Sequence, residues 1–152
     1  MKALVQRVVE SELKVDGKVI SNIGKGLIVF IGVTHDDTEN DAKVLAEKIC
    51  KLRIFEDENG KMNLSLLDVN GELHLISQFT LYADCHHGNR PSFINAAVPD
   101  YANKLYEYFI ELCKSMNVSK VETGIFGADM KINYINDGPI SIMLECSNGK
   151  IL

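Results

Sequence analysis

Two short segments of the chain carry polar side chains in arrangements that could support catalysis. The first is Ser77-Gln78-Phe79-Thr80-Leu81, at the end of an apolar run that predicts a strand over Leu73 to Leu81. Open sheets collect functional groups at the ends of their strands, so the hydroxyls of Ser77 and Thr80 could act there with the amide of Gln78. The same side chains could instead satisfy neighbouring backbone groups, and the residues alone favour this second interpretation.

The second segment is Asn136-Asp137-Gly138-Pro139-Ile140-Ser141. Asp-Gly between two alternating runs predicts a hairpin turn, because type I′ turns need positive φ at both central residues. The Gly138-Pro139 bond could equally be cis, although only about 5–6% of X-Pro bonds in folded proteins are. The residues do not decide between these two conformations.

A third candidate, Asp84-Cys85-His86-His87, combines a thiol with two imidazoles. Such groups can form a cysteine nucleophile or a metal site. Adjacent residues of an extended chain point to opposite sides, however, and Gly88-Asn89-Arg90-Pro91 follows directly, so a solvated loop is favoured. Neither His35 nor His74 has an obvious carboxylate or serine partner by spacing. No Cys-x-x-Cys pair is present, and we expect no metal site.

Composition places the chain among ordinary globular proteins. Its 152 residues fit one domain, 1–152, and are 46% hydrophobic and 24% charged. No stretch approaches the roughly 18 apolar residues of a membrane span, and the N-terminus turns polar too early for a signal peptide. We therefore expect a reduced, cytoplasmic protein that contacts no membrane. The net charge of −5 argues against a grip on long phosphate backbones, DNA included, but not against contact with the end of a nucleic acid.

The remaining pattern predicts the elements that must position these segments. Asp16-Gly17 between apolar runs indicates a hairpin, and Leu27 to Ile31 is typical of a strand buried on both faces. Helical stripes follow Thr38, a capping residue, and Pro99, a good first-turn residue. Strands before, between and after just two helices predict an α/β (mixed α+β) fold, with a mixed, partly barrel-like β-sheet and two main helices packed on one side.

The two polar segments together resemble the D-aminoacyl-tRNA deacylase family, also called D-tyrosyl-tRNA deacylases. Its Ser-Gln-x-Thr-Leu motif is matched by residues 77–81, and its Asn-x-Gly-Pro-x-Thr motif by residues 136–141, with Ser141 in place of threonine. Three further stretches look like the family: Val5-Gln6-Arg7-Val8, Gly88-Asn89-Arg90-Pro91-Ser92-Phe93 and Phe126-Gly127-Ala128-Asp129-Met130. Serine keeps the hydroxyl of threonine but loses a methyl group, so hydrogen bonding survives while local packing loosens.

The resemblance implies a hydrolase that cleaves the ester bond of D-aminoacyl-tRNA, and also of Gly-tRNA, to release amino acid and tRNA. It implies a homodimer in which a cis Gly138-Pro139 peptide of each subunit reaches into the partner's site. The carbonyl oxygens of that peptide would hold the substrate's α-amino group and crowd the position that an L side chain must occupy. Glycine, which has no side chain, would be accepted.

The resemblance also implies roles for single residues. Arg7 would hydrogen-bond the Gly-Pro segment and fix its orientation, with support from Asn136 and Ser141. Phe126 and Met130 would flank the terminal adenine of the tRNA. No cofactor is implied.

Catalysis of ester hydrolysis needs an activated water and donors for the oxyanion of the tetrahedral intermediate. Within Ser77-Gln78-Phe79-Thr80, the backbone N–H groups around Phe79 and Thr80 are the candidate donors. Thr80 could be the nucleophile, but no histidine or lysine is evident as its base. The alternative, in line with the family, has the terminal ribose 2′-OH of the tRNA position the water, and we favour it.

Two other functions fit parts of the sequence. A non-catalytic module that binds RNA 3′ ends would make the same adenine contacts without turnover. A hydrolase that uses Cys85 with His86 or His87 would be abolished by thiol alkylation.

Overall fold

The computed structural model describes all of residues 1–152 and contains nine β-strands and two α-helices. The strands are β1 (Lys2–Val15), β2 (Lys18–Ile23), β3 (Gly26–Gly32), β4 (Phe55–Glu56), β5 (Met62–Leu64), β6 (Glu72–Ser77), β7 (Lys120–Thr123), β8 (Met130–Ser147) and β9 (Lys150–Ile151). The helices are α1 (Glu39–Cys50) and α2 (Pro99–Ser115), and a 3₁₀ turn covers Phe79–Tyr82. Neither α-helix has the length and apolar character that a membrane-crossing helix needs.

The main sheet is mixed and curled. Its strands lie in the order β7-β6-β3-β1-β8-β9, and β2 pairs with the second half of β1. The strand pairs β3 with β6 and β6 with β7 are parallel, and the others are antiparallel. Because β2 also contacts β6 and β7, the sheet closes part of the way towards a barrel. The predicted mixed, partly barrel-like sheet is confirmed.

Local signals in the sequence account for where several elements begin. Asp16 and Gly17 both have positive φ, at 50° and 75°, and join β1 to β2 as the hairpin prediction requires. Thr38 caps α1, because its side chain accepts from the backbone of Asp41 while the Asp41 side chain accepts from the backbone of Thr38. Helix α2 begins at Pro99, as predicted.

The hydrophobic core lies on both faces of the sheet. The larger cluster packs one face against both helices and includes Leu27, Val29 and Ile31 of β3. The smaller cluster lies on the other face, inside the curl, and includes Ile28 of the same strand. Strand β3 is therefore buried on both faces, and both helices cover one side of the sheet, as predicted.

One sequence prediction of local structure is wrong, and the choice that the residues left open at Asp137-Gly138 is decided. Strand β6 ends at Ser77 rather than Leu81, because the chain turns into the 3₁₀ helix at Phe79. No hairpin forms at Asp137-Gly138, since β8 runs from Met130 to Ser147 along the whole length of β1. A partner strand of 14 residues offers pairing on both sides of this segment, so the extra residues bulge out and the strand does not reverse.

His74 has the serine partners that spacing did not reveal. Its imidazole is fully buried, with Nε2 2.8 Å from the hydroxyl of Ser21 and Nδ1 2.9 Å from that of Ser11. Ser21 donates to the carbonyl of Thr123, so it accepts from Nε2–H, and Ser11 donates to Nδ1. Burial, with a smaller contribution from Lys120, lowers the pKa of His74 from 6.5 to about 4.

This histidine is expected to make the protein acid-sensitive. The pKa of His74 is lower in the folded protein than in the unfolded chain. Between pH 6.5 and about 4, His74 is therefore protonated in the unfolded chain but neutral in the folded protein. Stability should therefore fall by on the order of 3 kcal/mol as the pH drops through that window. Urea unfolding at pH 7 and pH 4.5 measures the change. His74→Asn should flatten it while exposed His87→Asn should not, and equal slopes for wild type and His74→Asn would contradict the assignment.

Candidate active site

A cleft of about 460 Å³ lies at the carboxyl ends of the parallel strands. Its walls come from the ends of β3 and β6, from the segment after β7, and from the first turn of α2. Carboxyl ends of parallel strands are where open α/β sheets bind ligands. The lining residues are Ile31, Val33, Ser77, Gln78, Phe79, Phe93, Ala96, Ala97, Val98, Pro99, Ala102, Tyr106, Phe126 and Gly127.

Ser77, Gln78 and Phe79 form one edge of this cleft, and Thr80, which is exposed, follows just outside the lining. Ser77 is the last residue of β6, and Gln78 remains tied to the sheet because its N–H donates to the carbonyl of Ile31 at 2.7 Å. Phe79 and Thr80 then open the 3₁₀ turn. The first N–H groups of a helical turn have no acceptor within the turn, so those of Phe79 and Thr80 can serve a bound ligand. The wrongly predicted strand end is thus what makes these donors available.

The cleft contains no group suited to general acid–base catalysis. Tyr106 is its only titratable lining residue. The Tyr106 hydroxyl donates to the carbonyl of Leu75 at 2.8 Å, and burial raises the pKa of Tyr106 well above its usual value of 10. The hydroxyl of Thr80 is hydrogen-bonded by the side-chain amide of Gln78, which is not a base.

Aromatic rings flank the mouth of the cleft. Phe79 is 56% exposed and meets Phe93 edge-on, with ring centroids 5.1 Å apart. Phe126 contacts the ring of Tyr106 at 6.2 Å between centroids. Met130 is absent from the lining residues. As the first residue of β8 it packs against the smaller core cluster, and its sulfur closes over Gly124.

Gly138 and Pro139 lie in the bulge of β8, away from the cleft lining. On β1, Gln6 pairs with Ser141 and Val8 pairs with Asn136, so Arg7 alone stands opposite residues 137–140. The Gly138-Pro139 peptide is cis, and both residues are exposed.

Arg7 clamps the near side of this bulge. Its side chain is almost completely buried, at 5% exposure, and is not the exposed strand arginine that its position alone would suggest. The Nε donates to the carbonyl of Asp137 at 3.2 Å, and it lies 3.2 Å from the carboxylate of the same residue. Nη1 donates to the carbonyl of Ile54 at 2.7 Å. A planar guanidinium with several fixed donors suits such a fork of acceptors.

Asn136 and Ser141 close the two ends of the bulge. The side-chain oxygen of Asn136 accepts from the N–H of Ile140 at 2.9 Å, and its nitrogen donates to the hydroxyl of Ser141 at 3.2 Å. Ser141 also accepts from the amide of Gln6 at 2.7 Å. The sequence gives no signal for the contact between Gln6 and Ser141, because 135 residues separate them along the chain.

The cleft and the bulge lie towards opposite ends of the strands. Arg7 pairs with Leu27 at the start of β3, whereas the cleft is lined by Ile31 and Val33 at the other end of this strand. Four residues of extended chain separate Leu27 from Ile31 and six separate it from Val33, which at 3.3 Å a residue is about 13–20 Å. None of the predicted residues of the bulge lines the cleft of the same chain.

Comparison with known proteins identifies the family. The family model described as D-Tyr-tRNA(Tyr) deacylase matches residues 4–145. The chain belongs to the D-aminoacyl-tRNA deacylase family. The D-aminoacyl-tRNA deacylase of Thermosipho africanus is 56% identical to it over 145 residues, which are 95% of this chain and 97% of that protein. The enzyme is therefore a hydrolase of the aminoacyl-tRNA ester bond.

Solved structures share the fold of this deacylase. One described as c-Myc DNA Unwinding Element Binding Protein has a TM-score of 0.92 at 38% identity, covering 97% of this chain and 99% of that one. A probable eukaryotic D-amino acid tRNA deacylase has a TM-score of 0.82 at 15% identity, covering 93% and 97%.

The loop with Cys85 has the features of a solvated segment of the deacylase. Cys85, His86 and His87 are exposed, and none of them lines the cleft. His86 is paired with Asp84, because Nδ1 of His86 lies 2.6 Å from the carboxylate of Asp84. No hydrogen bond joins Cys85 to His86 or His87, so the loop lacks the cysteine–histidine contact that activates a thiol.

Proposed function

We propose that this deacylase acts on D-aminoacyl-tRNA and Gly-tRNA and rejects L-aminoacyl-tRNA. The observation that carries the proposal has two parts: the cleft is apolar and contains no acid or base, and the Gly-Pro bulge is exposed. The cleft suits a flat base and an ester, and the bulge offers backbone carbonyls that can select by shape. Family membership supplies the ester chemistry.

The terminal adenosine is placed in the cleft, with the adenine against the ring of Phe126. Stacking of a base on an aromatic side chain contributes about 1–3 kcal/mol and depends little on sequence. The aminoacyl ester then lies at the polar edge formed by Ser77 and Gln78. There the backbone N–H groups of Phe79 and Thr80 donate to the oxyanion that forms when water attacks the ester carbonyl.

The substrate itself supplies the group that positions the water. The only titratable lining residue, Tyr106, is committed to a backbone carbonyl, so no side chain of the cleft can take the proton. The 2′-OH of the terminal ribose is adjacent to the ester and can orient the attacking water. Collapse of the tetrahedral intermediate then breaks the ester bond, and a proton of the attacking water passes to the departing 3′-oxygen, which gives the ribose 3′-OH and the free amino acid.

Chiral selection is assigned to Gly138 and Pro139 of a second subunit. Neither residue lines the cleft of its own chain, and about 13–20 Å of strand separates the bulge from the cleft lining, which supports delivery by a partner chain. A backbone wall rejects an L side chain by steric exclusion, whereas an apolar pocket discriminates by only about 1–3 kcal/mol. Glycyl-tRNA is accepted because glycine has no side chain for this wall to exclude.

The expected partner is therefore the 3′ end of charged tRNA, in the cytoplasm, with no requirement for DNA. A net charge of −5 does not exclude contact with a single-stranded end, where few phosphates are met. The homodimer follows from a site that needs two chains.

Incubation with D-Tyr-tRNA and L-Tyr-tRNA side by side tests the proposal. Tyrosine should be released from the D substrate only, and light scattering on the same preparation should give the mass of a dimer. Equal hydrolysis of both substrates would exclude selection by the Gly-Pro wall. A fully active monomer would exclude a site shared between subunits.

Thr80→Ala is expected to keep most of the activity. Alanine retains the backbone N–H at position 80 and removes only the hydroxyl that Gln78 contacts, which costs about tenfold in rate at most. Loss of a true nucleophile would instead cost several orders of magnitude. Single-turnover hydrolysis of D-Tyr-tRNA separates the two cases. A dead Thr80→Ala variant, together with normal cleavage of a substrate ending in 2′-deoxyadenosine, would show that the nucleophile belongs to the protein.

A further inference from the structure

A series of side-chain hydrogen bonds connects Tyr134 to Ser141, at the far end of the Gly-Pro bulge. The Tyr134 hydroxyl donates to Oε1 of Gln6 at 2.8 Å, and Nε2 of Gln6 donates to the hydroxyl of Ser141 at 2.7 Å. Ser141 also accepts from Asn136, whose oxygen holds the N–H of Ile140. We call these three residues, Tyr134, Gln6 and Ser141, the relay.

The relay starts from a ring that is itself held in place. Tyr134 lies on β8, and its ring meets that of Phe30 on β3 with centroids 6.3 Å apart. Between them runs β1, which carries Gln6. The oxygen and nitrogen of the Gln6 amide have nearly the same shape and differ in that the oxygen accepts and the nitrogen donates. The Tyr134 hydroxyl donates to Oε1, so it is Nε2 that faces Ser141.

Ser141 is the position where this sequence departs from the threonine of the family motif. Threonine is stiff at χ1 because Cβ is branched, and serine lacks that restriction. Two donors converging on the Ser141 hydroxyl impose a side-chain direction that the missing methyl group no longer imposes. The hydrogen bond from Gln6 thus restrains the side-chain direction of Ser141, which a threonine would restrain through its methyl group.

We propose that Tyr134 is a positioning residue for Gly138 and Pro139, acting through Gln6 and Ser141 on the side of the bulge opposite Arg7. The inference rests on the proposed function, in which this peptide is the chiral wall. Arg7 fixes the carbonyl at the start of the bulge, and the relay fixes its end at Ser141. A segment held at both ends can exclude a side chain, whereas one held at a single end can move aside.

Tyr134→Phe tests the proposal, because it keeps the ring against Phe30 and removes only the hydroxyl. Tyr108→Phe makes the same chemical change on α2 and is the matched control. We expect kcat for D-Tyr-tRNA to fall about three- to tenfold, the size of one hydrogen bond, with KM unchanged because Phe126 and the cleft are untouched. Release from L-Tyr-tRNA should rise, and the control should behave as wild type.

A double-mutant cycle decides whether Tyr134 acts through the relay. In a Ser141→Ala background the end of the chain is gone, so Tyr134→Phe should add less than about a twofold further loss. Losses that multiply instead would overturn the relay. So would a Tyr134→Phe variant with wild-type kcat and wild-type discrimination.

Hydrogen exchange at the Ile140 amide gives a readout that needs no catalysis. This N–H is held by Asn136 inside the bulge, and it should exchange faster in Tyr134→Phe than in wild type or Tyr108→Phe. Unchanged exchange would overturn the positioning role. If the wild-type protein cleaved neither substrate, the proposed function would fail, while the exchange rates would still decide whether Tyr134 orders the segment.

Discussion

Arg7→Ala is expected to lower kcat for D-Tyr-tRNA by about a hundredfold while the protein stays folded. The guanidinium makes hydrogen bonds to two carbonyls, of Asp137 and Ile54, and each bond to a charged group is worth about 1.5–3 kcal/mol. Losing both frees the segment that begins at Asp137. A displacement of about 1 Å at a positioning group costs about 10²-fold in rate. Single-turnover release of D-tyrosine measures the effect.

Four variants separate this result from a general effect of losing an arginine and from another chemistry. Arg53→Ala removes an exposed arginine that likewise donates to a backbone carbonyl, of Asn63, and should leave the rate unchanged. Arg7→Lys keeps the charge but not the fork, and should fall in between. Cys85→Ala and His86→Ala alter only a solvated loop. If either of these two cost more activity than Arg7→Ala, the cysteine hydrolase would become the better account.

The features that sequence predicted correctly depend on neighbours in the chain. The turn at Asp16-Gly17, the cap at Thr38 and the start of α2 at Pro99 are each decided within a few residues. The double burial of β3 followed from a continuous apolar run. In each case local preference and tertiary structure favour the same conformation.

The features that sequence missed depend on residues far apart. Asp137-Gly138 carries a valid hairpin signal, but β1, 130 residues earlier, offers pairing on both sides of it and the strand continues. His74 meets Ser21 and Ser11 across 53 and 63 residues. No spacing rule reaches over such distances, because these partners are set by the curl of the sheet.

The candidate site was predictable in its parts but not in its arrangement. Ser77, Gln78 and Phe79 line the cleft, and Arg7 donates to the carbonyl of Asp137, the residue before Gly138. What the residues could not tell is that these parts lie at opposite ends of β3, or that Met130 turns into the core. Both facts follow from strand register, which a single sequence specifies only through the complete sheet.

The close approach of β3 and β6, which places Ser77 at the cleft, can be tested at one glycine. Gly26→Ala is expected to destabilise the protein by about 3 kcal/mol or more, at the upper end for overpacking. A Cβ at this position would lie 1.8 Å from the carbonyl oxygen of Glu72 and 2.7 Å from its carbonyl carbon and nitrogen. These atoms are backbone, so neither a rotamer change nor a flexible side chain can relieve the overlap.

The strands must therefore separate where their parallel pairing begins, at Gly26 and Glu72. Strand β6 runs from there to Ser77, so its displacement should also lower the rate on D-Tyr-tRNA. Gly24→Ala is the matched control, since the nearest heavy atom to its Cβ would be a Glu72 side-chain oxygen at 3.9 Å, an ordinary contact. It should change stability by less than about 1 kcal/mol. Urea unfolding compares the three proteins at one fixed protein concentration, because the stability of the proposed dimer would depend on concentration. Equal midpoints for Gly26→Ala and Gly24→Ala would mean that β3 and β6 do not approach as closely as this pairing requires, and the position of Ser77 at the cleft would lose its support.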